Sequence, residues 1–117
     1  RNQRAYDNRD RLMSTRLRVV TERGDDGRVV LHAIGEIEAS NVATFADALD
    51  AAAAEAPGSV TVDLSAVDYL DSAAINALVA HAGSLHIVAN PMLIPVLRIS
   101  GVAELATVHA APSADGP

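Results

Sequence analysis

Three carboxylates and a serine stand close together near the middle of the chain: Asp63, Asp68, Asp71 and Ser72. Carboxylates so close could hold a divalent cation or divide acid and base roles between them. No His or Glu stands at ligand spacing beside them, however, and Asp63 alternates with the apolar Val62 and Leu64. Solvent-facing or backbone-capping roles therefore fit all three. Ser72 could be a nucleophile, but its neighbours Asp71 and Ala73 are not the glycines of a serine elbow, and no base accompanies it. His32, His81, His86 and His109 are scattered, with no paired spacing around a carboxylate, so no zinc signature exists. The glycines fall singly at expected element ends, without phosphate-cradling spacing. Arg23-Gly-Asp25 matches an adhesion tripeptide but lies where a hairpin turn belongs. No catalytic, cofactor-binding or metal-binding residue is assigned.

What remains is a serine at a junction of two elements. Val60, Val62 and Leu64 alternate with Thr61 and Asp63 as in a short strand. Ile75, Leu78 and Val79 then recur at helical spacing, with Asp71-Ser72 in the N-cap place. Ser65 to Asp71 reads as the connection between them, and Ser72 as the capping hydroxyl. Free N–H groups and the helix dipole at such a start suit an anion, including a phosphate carried by the serine itself.

The rest of the chain supplies the frame. Arg16 to Glu22 alternates as a first strand, Gly24-Asp-Asp-Gly27 reads as a hairpin turn, and Arg28 to Ile34 forms a more apolar second strand. Val42, Phe45, Ala46, Leu49, Ala52 and Ala53 mark a helix capped by Ser40 or Asn41 and ended by Pro57-Gly58. The helix from Ser72 is expected to run to Gly83, followed by a strand from Ser84 to Ala89. Leu93 to Ile99 is helical in pattern, with Pro95 either at its first position or kinking it. Glu104 to His109 reads as a last edge strand. The order β-β-α-β-α-β-α-β predicts an α/β domain, a mixed sheet with helices mainly on one face.

Bulk properties narrow the function. With 117 residues the chain predicts one domain, over residues 14–110. Residues 1–13 read as a flexible leader, a linker or foreign sequence, and residues 111–117 as a mobile tail. There is no cysteine, which excludes disulfides and thiolate metal sites. Only Tyr6, Phe45 and Tyr69 are aromatic, too few for stacking single-stranded nucleic acid. Residues 1–28 carry net +3 and residues 29–117 net −9, so the folded body is acidic. That disfavours nucleic acid and anionic membranes and suits a basic protein surface. No apolar run is long enough to span a membrane and no secretory pattern is found, which makes a cytoplasmic location the expectation.

Val62-Asp-Leu-Ser-Ala-Val-Asp-Tyr-Leu-Asp-Ser72, followed by Ala-Ala-Ile-Asn-Ala-Leu78, resembles the central signature of STAS domains, specifically bacterial anti-sigma factor antagonists. Gly35-Glu-Ile-Glu38 resembles the family's Gly-Glu-hydrophobic-Asp element, and Val96-Leu-Arg-Ile-Ser-Gly-Val102 its late helix. The resemblance implies a single domain with a mixed four- to five-stranded sheet. It also implies binding rather than catalysis: such proteins hold an anti-sigma factor, often a serine kinase, and so release a sigma factor. The kinase modifies the serine after the motif Asp, here Ser72, and a phosphatase reverses this. The partner surface it implies comprises Glu36, Glu38, Asp68, Tyr69, Asp71, Ser72, Ala73, Ala74 and Asn76. The sequence departs from the pattern at Ala73 and Ala74, where the family has serine and glycine, and at Glu38, where it has Asp. These departures, with a short helix from Ser72, leave room for an alternative: a STAS regulatory subunit of a lipid-transport ABC system that binds an ATPase.

Overall fold

The computed structural model describes residues 16–112. Strands β1 (Leu17–Arg23) and β2 (Val29–Ile37) pair antiparallel across the turn begun at Gly24. Strands β3 (Val60–Leu70), β4 (Leu85–Ala89) and β5 (Thr107–Ala110) add in parallel, in the spatial order β1-β2-β3-β4-β5. Helices α1 (Val42–Glu55), α2 (Ser72–Val79), α3 (Ile94–Ile99) and α4 (Val102–Leu105) fill the connections. Because the strand order never reverses, right-handed crossovers place every helix on the same side. The expected α/β fold, with its mixed sheet and one helical face, is found.

Alternation decides which side is dry. Val29, Leu31 and Ala33 of β2, Val60, Val62 and Leu64 of β3, and Leu85, Ile87 and Ala89 of β4 share one buried cluster with residues of all four helices. Among them are Phe45 and Leu49 of α1, Leu78 of α2, Leu97 of α3 and Val102 of α4. The intervening residues Val30, His32, Thr61, Asp63, His86 and Val88 lie on the other side and are partly or fully exposed. One sheet face is therefore core and the other is open.

Several elements differ from their sequence-based expectation. Ser65 to Leu70 is not a connection but the second half of β3. The register with β2 slips twice, once between His32 and Ile34 and once between Gly35 and Glu36, and each time β3 carries one extra residue. Each extra residue switches the side that faces the core, so the first bulge returns Val67 to it after Leu64 and the second returns Leu70. The exposed pairs Ser65-Ala66 and Asp68-Tyr69 are thrown to the surface between them. Past Leu64 the strand has no β4 partner, and Asn90 replaces one, donating from Nδ2 to the Val67 carbonyl at 3.2 Å.

Helix α2 has eight residues and stops at Val79, short of Gly83, which lies in a 3-10 turn. Glu104 and Leu105 belong to α4 rather than to the last strand, because Gly101 at φ 90° starts a further helical turn. Pro95 sits in the first turn of α3, so the helix begins there without a kink. Beyond β5, Ala111 is buried and its N–H donates to the Ala89 carbonyl at 2.7 Å. The expected leader over residues 1–13 and the tail from residue 113 lie outside the described residues.

Candidate functional site

The C-terminal ends of β2 and β3 and the start of α2 form one pole of the domain. Asp71 makes the junction. Its N–H donates to the Ile37 carbonyl at 3.2 Å, and its backbone is extended as an N-cap requires. The carboxylate then accepts two amides: Ala74 N–H on Oδ1 at 3.1 Å and Ala39 N–H on Oδ2 at 2.9 Å. Asp71, not Ser72, is thus the cap of α2. Its desolvation opposes ionisation, but the N–H groups of Ala74, Ala39 and Ala73 prevail and hold the carboxyl below its usual range.

The adjoining loop is fastened just as locally. Asn41 precedes α1 but does not cap it; its Oδ1 accepts from Glu38 N–H at 2.9 Å and its Nδ2 donates to the Glu36 carbonyl at 3.0 Å. Asn41 was legible only as a helix cap, and its role as the clip of this loop was missed. Glu36 stands opposite Tyr69 in the ladder, and Ile37 opposite Leu70. Glu36, Glu38, Asp68 and Asp71 therefore gather at one pole, with Tyr69 49% exposed among them.

Ser72 occupies the first position of α2, exposed, and its hydroxyl makes no hydrogen bond among the described residues. Asp71 is its nearest acid in sequence, and both oxygens of that carboxylate are taken by amides. A hydroxyl without a base is a poor nucleophile but an accessible acceptor. One expectation is corrected here. The amides at the start of α2 are not all free for a phosphate, because the Asp71 carboxylate already takes the Ala74 N–H, so an anion at Ser72 would share the helix start with that carboxylate.

Asn76 is exposed one turn on from Ser72, and Val79, 40% exposed, extends the same stripe. Ala73 is half-buried. Ala74, expected at the partner surface, is fully buried in the core and presents no side chain there. Its methyl fills the space beneath the helix start, where the family pattern has only glycine.

Removing the cap should be visible in stability. We expect Asp71→Ala to lower the melting temperature by about 5 °C, since two amides lose their acceptor. The folded-state pKa of Asp71 lies below the unfolded one, so its contribution is complete above about pH 4 and fades as pH falls through the lowered value. Thermal melts of both chains from neutral to acid pH should therefore converge at the acid end.

A second polar arrangement lies away from the pole, on the open sheet face. Sequence spacing left Asp63 and His32 without companions; the parallel register sets them side by side. His32 Nδ1 lies 2.8 Å from Asp63 Oδ2 and Nε2 lies 2.8 Å from Glu22 Oε1. The Asp63 Oδ1 accepts the Ser65 hydroxyl at 2.6 Å and the Ser65 N–H at 3.0 Å. The hydrogen bond to Glu22 and then that to Asp63 raise the His32 pKa against a small desolvation cost. The two carboxylates meet opposite nitrogens of the ring, and no group of three His, Asp or Glu side chains among the described residues could hold a metal ion.

A raised histidine pKa stabilises the fold fully below about pH 6.5, and that contribution disappears as pH rises through the folded-state value. Urea midpoints of the native chain should therefore drop between mildly acid and mildly alkaline pH. His32→Gln should flatten that part of the profile; an unchanged slope would show that the imidazole carries no such linkage.

Comparison with known proteins bears on this geometry. A family model described as "Mlab, STAS domain" matches residues 20–105. No curated protein matches. Among solved structures the chain is similar to an anti-sigma factor antagonist from Mycobacterium paratuberculosis, with TM-score 0.72 and 24% identity over 86% of this chain and 89% of that one. It is also similar to the anti-sigma factor antagonist SpoIIAA in its unphosphorylated form, with TM-score 0.65 and 14% identity over 84% of this chain and 91% of that one. At these identities the two structures establish the fold, and the family model, which covers the sheet from β1 to the last helix, establishes the membership: the chain belongs to the STAS domain family.

Proposed function

We propose that this chain is a cytoplasmic anti-sigma factor antagonist, a binding protein rather than an enzyme. It holds an anti-sigma factor of the serine-kinase type against the pole made by Glu36, Glu38, Asp68, Tyr69, Asp71, Ser72, Ala73 and Asn76, and so releases a sigma factor. Phosphorylation at Ser72 switches it off, and a phosphatase restores it. The observation that carries this reading is Ser72 itself: an exposed hydroxyl at the first position of α2, with no hydrogen-bonded base among the described residues and four carboxylates at its pole. The acidic pole suits a basic partner face. Supporting it, both solved structures named above are of anti-sigma factor antagonists.

The switch follows from charge. A phosphoryl group adds close to two negative charges. At the exposed first turn of α2 it leaves the core untouched, and the repulsion falls on the complex. Incubation with the cognate anti-sigma kinase and ATP, read by intact mass and peptide mapping, should place one phosphate on Ser72 and none on a Ser72→Ala chain. Phosphate at another serine, or none, would refute the switch.

A second reading is favoured by the eight-residue α2, by Ala73 and Ala74, and by a matching family model named for Mlab rather than for an antagonist. In it the chain is the STAS subunit of a lipid-transport ABC system and the same pole grips an ATPase. Affinity capture from the native host separates the two, because recovery of an ABC ATPase without any anti-sigma factor decides for the transporter.

A further inference from the structure

The outer edge of β1 is a surface that the fold leaves unfilled. Arg16 C=O accepts from Glu36 N–H at 3.1 Å and Gly24 N–H donates to Arg28 C=O at 2.9 Å, so the even-numbered residues of β1 turn their backbone toward β2. Backbone groups alternate sides along a strand. The N–H and C=O groups of Leu17, Val19, Thr21 and Arg23 therefore point away from the sheet, and no strand pairs with them among the described residues. The opposite edge, β5, is only four residues long, whereas β1 presents seven. Short edges are protected by their length; β1 is not.

The sequence of β1 complements itself. Paired antiparallel with a copy about Val20, it sets Val19 opposite Thr21, Leu17 opposite Arg23 and Arg18 opposite Glu22. The odd-numbered pairs become hydrogen-bonded pairs, giving about eight new main-chain bonds. Arg18, Val20 and Glu22 lie on the open sheet face, so two Arg18–Glu22 pairs flank two facing Val20 side chains. Val20 is 43% exposed and meets its copy at a non-hydrogen-bonded position, where side chains come closest. Glu22 is already restrained, because His32 Nε2 holds its Oε1 at 2.8 Å while Oε2 makes no such bond to His32. Registers centred on Arg18 or on Glu22 set like charges opposite one another, which is unfavourable.

We propose that the chain forms a symmetric dimer through β1, joining two sheets edge to edge into one continuous sheet. The partner is a second copy of this chain, chosen by charge and register. The two-fold axis runs through Val20, so the two α2 poles stand at opposite ends of the dimer and remain open. The pairing does not depend on what those poles bind.

Sedimentation equilibrium on the full chain tests it. The native chain should be dimeric at micromolar concentration. Val19→Pro removes an outward N–H without breaking a bond to β2, and Arg18→Glu sets like charges across the axis. Each should raise the dimer dissociation constant at least ~10-fold. Far-UV circular dichroism on the same samples confirms that the sheet persists. The exchange Arg18→Glu with Glu22→Arg should recover part of the lost association, which a general loss of stability could not do. A native chain that stays monomeric up to near-millimolar concentration overturns the proposal, whether its charges guard the edge or preceding residues cover it. A dimer indifferent to both single substitutions overturns it equally.

Discussion

Gly35→Ala should cost about 3 kcal/mol of stability, far more than one added methyl group does at an ordinary strand position. Two independent constraints meet at this residue. Its φ is +113°, a region that alanine rarely adopts. A Cβ there would also run into the Arg16 carbonyl of β1, which is itself fixed by accepting from Glu36 N–H. The chain has no cheap escape, because rotating Gly35 moves Glu36 and with it the carbonyl that Asn41 holds. Urea unfolding with the slope checked for constancy measures the loss. A change below about 1 kcal/mol would mean that the start of β1 yields freely and that Gly35 is not a fixed point of the fold.

For the proposed anti-sigma partner, Ser72→Asp should weaken binding about 100-fold, roughly 3 kcal/mol, while leaving the melting temperature nearly unchanged. The separation of the two effects is the substance of the prediction. The Ser72 hydroxyl contributes no hydrogen bond to the fold among the described residues, and its neighbour Asp71 does the capping. A new carboxylate therefore leaves the folded chain largely undisturbed. In the complex it must be desolvated beside Asp71 and close to Asp68, where it adds a further negative charge. Ser72→Ala should bind as the native chain does. Calorimetric titration of the three chains reads the difference directly. Equal affinity for Ser72→Asp would remove the switch while leaving antagonism itself standing.

Much of this fold was legible because its alternations are clean. β1, the first part of β2, α1 and β4 follow from periodicity and turn residues, and the family resemblance added the location of the pole. What was not legible depends on register. Ser65 to Leu70 has the polar, broken pattern of a loop because its burial period changes from two to three, and only pairing with β2 reveals the two bulges that cause this. Asp71 and Ser72 are both good caps; the choice fell to Asp71 because one of its oxygens also reaches Ala39, far away in sequence. His32 and Asp63 looked solitary because parallel neighbours are remote along the chain. Glu104 to His109 alternates like a strand, yet the positive φ of Gly101 commits its first half to a helical turn. In each case local preference was ambiguous and a tertiary contact decided.

The unreversed order of the strands also governs how the molecule can be made. Each strand docks on the one synthesised just before it, after a connection over residues 24–28, 38–59, 71–84 or 90–106. No strand waits for a distant one to arrive, and the sheet grows from one margin only. Chain-closure entropy rises slowly with such modest spans, so the assembly can follow the ribosome from amino to carboxyl end. The growing margin is buried at every step by the next strand until the short β5 closes it, while the starting margin, β1, receives no later strand among the described residues.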